Sequence, residues 1–64
     1  MFVWTYLDGT GEELGTSRRF SNAEEAEDWI GDSWPDLLEN GIEAVELFDH
    51  AHGRRVYRMG LGAE

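Results

Sequence analysis

The hydrophobic period of this chain switches from two to 3.6 and back to two. Phe2 to Leu7 (FVWTYL) is β-branched and aromatic, with Phe2, Trp4 and Tyr6 alternating against Val3, Thr5 and Leu7, the period of a strand. Asp8-Gly9-Thr10-Gly11 supplies turn residues. A return strand follows at about Leu14 to Phe20, with Leu14, Thr16, Arg18 and Phe20 on one side and Ser17 and Arg19 on the other. The stretch Ser21 to Gly41 then changes period: Ala23, Ala26, Ile30, Trp34 and Leu37 recur at helical spacing, flanked by Trp29 and Leu38. Period two returns in Ile42–Asp49, where Val45 and Leu47 oppose Ala44, Glu46 and Phe48. It returns again in Arg54–Gly60, where Arg55, Tyr57 and Met59 oppose Arg54, Val56 and Arg58. His50 to Gly53 makes the turn between these two runs, and Leu61 to Glu64 reads as a frayed tail.

The helix carries its own start and stop signals. Ser21 with Glu24 three residues on has the form of a capping box, and Asn40-Gly41 suits the left-handed residue that ends a helix. Pro35 opposes a straight helix, because it removes a backbone bond and crowds the carbonyl of Gly31, at about 3 kcal/mol. The expectation is therefore a helix from Asn22 to about Asp32, a kink or break, and a second segment from Trp34 to Glu39.

The order β-β-α-β-β makes a single α+β domain over residues 1–64, a two-layer sandwich of two antiparallel hairpins with one kinked helix on one sheet face. One helix covers one face, so the other is open to water or to a partner. Which face is open depends on strand one. Either Val3 and Leu7 meet the helix and Phe2, Trp4 and Tyr6 are outside, or the reverse.

Composition narrows what such a domain does. Sixty-four residues bury only about 60% of their unfolded surface, so the core is small and dimerisation is a natural supplement. Cysteine is absent, which removes disulfides and thiol chemistry; with no basic-flanked leader the chain reads as cytoplasmic, and no run is long enough to span a membrane. The net charge of −9 disfavours nucleic acid and anionic membranes, yet the charges are segregated. Seven acidic and no basic residues lie between Glu24 and Glu39, while all five basic residues are Arg, at Arg18-Arg19 and at Arg54, Arg55 and Arg58.

The helical sequence and its surroundings resemble a known group. Phe20 to Leu47 (FSNAEEAEDWIGDSWPDLLENGIEAVEL) resembles short, acidic, uncharacterised actinobacterial proteins, and Val56-Tyr57-Arg58-Met59-Gly60-Leu61 resembles their ending. The resemblance covers about half the chain and implies a bacterial stand-alone domain; it brings no catalytic residue and no cofactor. Lys-free, Arg-only usage is what a GC-rich genome tends to encode.

Candidate chemistry is sparse. His50 and His52 at alternate positions of Asp49-His50-Ala51-His52 have the spacing of two ligands, but the set stops short of the three or four that zinc needs, so they read as turn residues with no metal. No nucleophile elbow is present, Asp8-Gly9-Thr10-Gly11 lacks the Gly-Lys-Ser/Thr of a phosphate loop, and the carboxylates sit on an exposed helix face. The expectation is a non-enzymatic interaction module, self-associating through the open sheet face or edge. An alternative is a single-stranded nucleic-acid binder using Trp4, Tyr6, Arg18, Arg54 and Arg58 on one sheet face. The simpler reading of the arginines is cross-strand pairing with Glu12, Glu13, Glu43 and Glu46, each pair contributing under ~1 kcal/mol. A second candidate surface is the acidic helix face of Glu24, Glu25, Asp28, Asp32, Asp36 and Glu39, suited to a basic partner.

Overall fold

The computed structural model describes residues 1–61 and gives four strands and one helix: β1 Phe2–Leu7, β2 Glu13–Phe20, α1 Ala23–Glu39, β3 Ala44–Asp49 and β4 Arg54–Gly60. All strand pairs are antiparallel, in the order β2-β1-β3-β4, so the two hairpins join through β1 and β3 into one sheet. Helix α1 rests on β1 and β2 and forms the second layer. The fold is the expected α+β sandwich.

The face of β1 that meets the helix is the aromatic one. Trp4 is fully buried and its indole N–H donates to the Ala26 carbonyl at 2.9 Å, tying sheet to helix. Phe2 and Tyr6 pack around the same core, which also takes Phe20, Ala26, Ile30, Leu37, Ile42, Val45, Leu47 and Leu61. Packing two layers requires large side chains between them, and the indole needs an acceptor when buried; both requirements favour this choice of face. The opposite face carries Val3, Thr5, Leu7, Ala44, Glu46 and Phe48 and is correspondingly poor in aromatics.

The helix departs from expectation at its start and in the middle, and ends where expected. Its N-cap is Asn22, one residue past Ser21: the Asn22 side chain accepts from the Glu25 N–H at 2.7 Å, and the Glu25 carboxylate reaches back to the Ser21 N–H at 3.0 Å. Two adjacent residues can both cap; the one chosen brings Glu25 to the third helical position, where it closes the loop. Through Pro35 the helix runs unbroken from Ala23 to Glu39. Burial of Leu37 beyond the proline holds the last turn in place against the local cost. The end is a Schellman motif: the Ile42 N–H donates to the Leu37 carbonyl and the Gly41 N–H to the Leu38 carbonyl, with Gly41 at φ 86°.

The strands carry bulges that simple alternation does not predict. Trp4 faces a register shift in β2, where its N–H donates to the Ser17 hydroxyl instead of a ladder carbonyl. In β4, Tyr57 pairs with Leu47 and Arg55 with Phe48, leaving Val56 extra. Arg55 is thereby turned away from Tyr57 and Met59 and joins Arg58 on the face without the helix. Leu61 is buried, with its N–H on the Glu43 carbonyl at 2.9 Å, so the tail is anchored at that residue; Gly62 to Glu64 lie outside the described residues.

Candidate protein-interaction surface

The nominated residues do not converge. Trp4 lies beneath the helix with no exposed surface, and Tyr6 is half-buried against the same core, where burial pushes its phenol pKa up. Neither ring is available for base stacking, which corrects their placement on an open face with arginines. Arg18 sits 4.4 Å over the ring of Phe20 on β2, at one edge of the sheet. Arg54 and Arg58 belong to β4 at the other edge, opposite Asp49 and Glu46.

The arginines also pair less than expected. Among the described residues, Arg55 to Glu46 at 3.1 Å is the sole arginine ion pair; Glu12, Glu13 and Glu43 take no arginine. The topology adds what the sequence did not reveal: β2 and β4 are the two edges, so every basic side chain of the chain lies on an edge strand.

The six nominated carboxylates of α1, Glu24, Glu25, Asp28, Asp32, Asp36 and Glu39, are all exposed as expected. Glu27 leans the other way and accepts from the Tyr57 hydroxyl at 3.1 Å; burial first, then this bond, raise the Tyr57 pKa.

The β3–β4 turn is organised by Asp49. One carboxylate oxygen accepts from the Ala51 N–H at 3.0 Å, and the other meets the His52 Nδ1 at 2.7 Å. The bond to His52 holds the Asp49 carboxyl below its usual range. His50 is engaged separately, its ring 4.8 Å from that of Phe48. Among the described residues no group of three or more His, Asp or Glu is placed to hold a metal.

What sequence reasoning missed is a cleft between the middle of α1 and β4. It measures about 310 Å³ and is lined by Ile30, Gly31, Trp34, Met59, Gly60 and Leu61, with no charged side chain. It exists because the backbone of α1 lies over β1 and β2, and only side chains reach across to β4. A glycine stands on each wall, and a Cβ built on either would meet no atom within 4 Å. Trp34, assigned by its spacing to the core, is 44% exposed at this cleft, and Val56 and Tyr57 on β4 are exposed at 42% and 37%. An exposed tryptophan beside an apolar recess is a usual mark of a contact surface. A second recess, among Met1, Val3, Thr16, Ser17, Arg19 and His50, opens on the other sheet face; it is more polar, and the Ser17 hydroxyl there is committed to the β2 bulge.

No helix of the described residues is long and apolar enough to cross a membrane. Comparisons with protein-family models, with curated proteins and with solved structures found no match.

Proposed function

We propose that the chain is a small non-enzymatic protein-interaction module working from its β4 side, in a cytoplasmic setting that its cysteine-free composition favours. The observation that carries this reading is the coincidence of an uncovered strand edge with an apolar cleft beside it. A strand edge offers free N–H and C=O groups, and a neighbouring pocket gives side-chain selectivity; together they form the usual receptor for an extended segment. Self-association is the less favoured form of the same idea. Pairing β4 with β4 or β2 of a second copy brings two Arg-bearing strands together, and like charges across strands destabilise. The outer face of α1 is a separate surface for a basic partner.

Selection of displayed random peptides on the immobilised domain tests the reading, with Gly31→Leu as the counter-selected surface. A Cβ at Gly31 meets no atom within 4 Å, so a leucine there has room to start and its branch is placed to occupy the cleft. Peptides enriched on the native domain and lost on the filled one support an interaction module on this side. A selection that enriches nothing with that preference overturns it.

A further inference from the structure

Resting on that reading, we infer that the β4 edge and its cleft receive an extended protein segment in which apolar residues alternate with carboxylates. The pattern follows from the two sides of β4. A segment added as a fifth strand projects alternate side chains to opposite faces of the sheet. On the helix side, toward the C-terminal end of β4, they meet the cleft of Ile30, Trp34, Met59 and Leu61, which carries no charged side chain; Arg54, opposite Asp49, lies on this side at the other end of the strand. On the other side they lie beside Arg55 and Arg58, brought to a common face by the bulge at Val56. Arg58 has no hydrogen-bond or ion-pair partner among the described residues, so its charge is free for an incoming carboxylate. The cleft residues and the arginines thus read alternate positions of one strand.

Charge also decides between occupants. In an edge-to-edge contact a second copy of this chain brings only Arg-bearing strands. An acidic segment brings the complement, and the carboxylates of α1 stand on the opposite side of the sheet from Arg55 and Arg58, where they oppose its approach least. The arginines therefore do two things at once: they disfavour edge-to-edge pairing between copies of the chain, and they leave the edge attractive to a strand of opposite charge.

The probe is a fluorescein-labelled peptide of about eight residues alternating Val and Glu, followed by anisotropy against the intact domain. Three comparisons accompany it: the same peptide with Lys for Glu, the Val/Glu peptide with every second amide N-methylated, and the Val/Glu peptide against the Gly31→Leu and Arg58→Glu variants. The inference expects saturable binding of Val/Glu, weakened about tenfold or more by each change. Far-UV circular dichroism of the two variants should match the native domain, since a Cβ at Gly31 meets nothing and Arg58 makes no bond that the fold uses. Absence of Val/Glu binding at about 100 μM overturns the inference, as does equal binding of the Lys peptide or of the N-methylated one. The displayed-peptide selection is independent of these outcomes. Enrichment there of cleft-dependent peptides that are neither acidic nor alternating leaves the interaction module standing and removes the acidic strand.

Discussion

Replacing Trp4 by Phe tests whether the sheet and the helix are held together where the structure says they are. Trp4 has no exposed surface, and its indole N–H donates to the Ala26 carbonyl at 2.9 Å. Phenylalanine keeps an aromatic ring against Tyr57, whose centroid lies 5.8 Å away, but loses that bond and the second ring. The hydrogen bond contributes about 0.5–1.5 kcal/mol. The Ala26 carbonyl keeps its acceptor role within α1, so no backbone group is orphaned and the loss stays in that range. The missing ring atoms add about 1–2 kcal/mol through lost transfer energy and a partly collapsed cavity. The sum, about 1.5–3.5 kcal/mol, is large against the roughly 3–10 kcal/mol expected for a domain of this length. It corresponds to a fall in Tm of about 6–28 °C. Urea unfolding should be followed by far-UV circular dichroism, because Trp4 fluorescence is itself removed. Trp29→Phe is the control: Trp29 is half-buried and meets the Phe20 ring at 5.5 Å, and its replacement should cost about half as much or less. A Trp4→Phe change below about 0.5 kcal/mol, or one no larger than the Trp29 control, refutes this account of the layer contact.

Other outcomes follow from single features. Pro35→Ala should raise stability by about 1–3 kcal/mol, since it restores a helical bond in an unbroken helix; a shift of the urea midpoint downwards would mean that the proline is favoured by its surroundings. Asp49 should make stability acid-sensitive. His52 holds its folded-state pKa below the ordinary value, so its contribution is complete above about pH 4 and is lost as pH falls through the lower folded-state value. Asp49→Asn should flatten the Tm-against-pH curve below about pH 4, and an unchanged slope would remove Asp49 as its source. Changing Asp28, Asp32 and Asp36 together to Asn relieves three like-charge pairs at i and i+4, with Glu24 the fourth member, and should stabilise the helix by about 0.6–1.5 kcal/mol while weakening capture of any basic partner in low salt. An unchanged urea midpoint would show that these carboxylates are fully screened.

The elements were legible in the sequence because each keeps its own period over enough residues. The helix of Ala26, Ile30 and Leu37 and the alternation of Val45 and Leu47 need no tertiary information. What stayed hidden was everything decided by competition between comparable local choices. Strand β1 is apolar on both sides, so its period cannot say that Trp4 goes inward; the volume between two layers and the acceptor on Ala26 decide that. Ser21 and Asn22 are equally good caps by type, and Glu25 selects between them. Pro35 is a break by local rules and a tolerated cost once Leu37 and Ile42 pack beyond it. The bulge at Val56 has no residue signature in this chain, yet it determines which way Arg55 faces.

The cleft and the charge pattern belong to the same class of hidden fact. Gly31 and Gly60 are unremarkable in sequence, one inside a helix and one at a strand end, and only the packing of α1 over β1 and β2 puts them on facing walls. Likewise the two arginine groups look like two accidents of composition until the strand order places β2 and β4 outermost. The chain then has one acidic layer and a sheet whose cations lie on its edge strands. Acidic helix faces repel one another between copies, and so do the arginine edges; one copy's acidic helix against another's edge remains the attractive self-contact. That contact is heterologous and does not close on itself, so it would propagate into open chains and not stop at a dimer. A dilute protein that stays monomeric in light scattering would therefore be consistent with edges built for a foreign acidic strand. Concentration-dependent growth beyond a dimer would point to the helix-to-edge contact between copies.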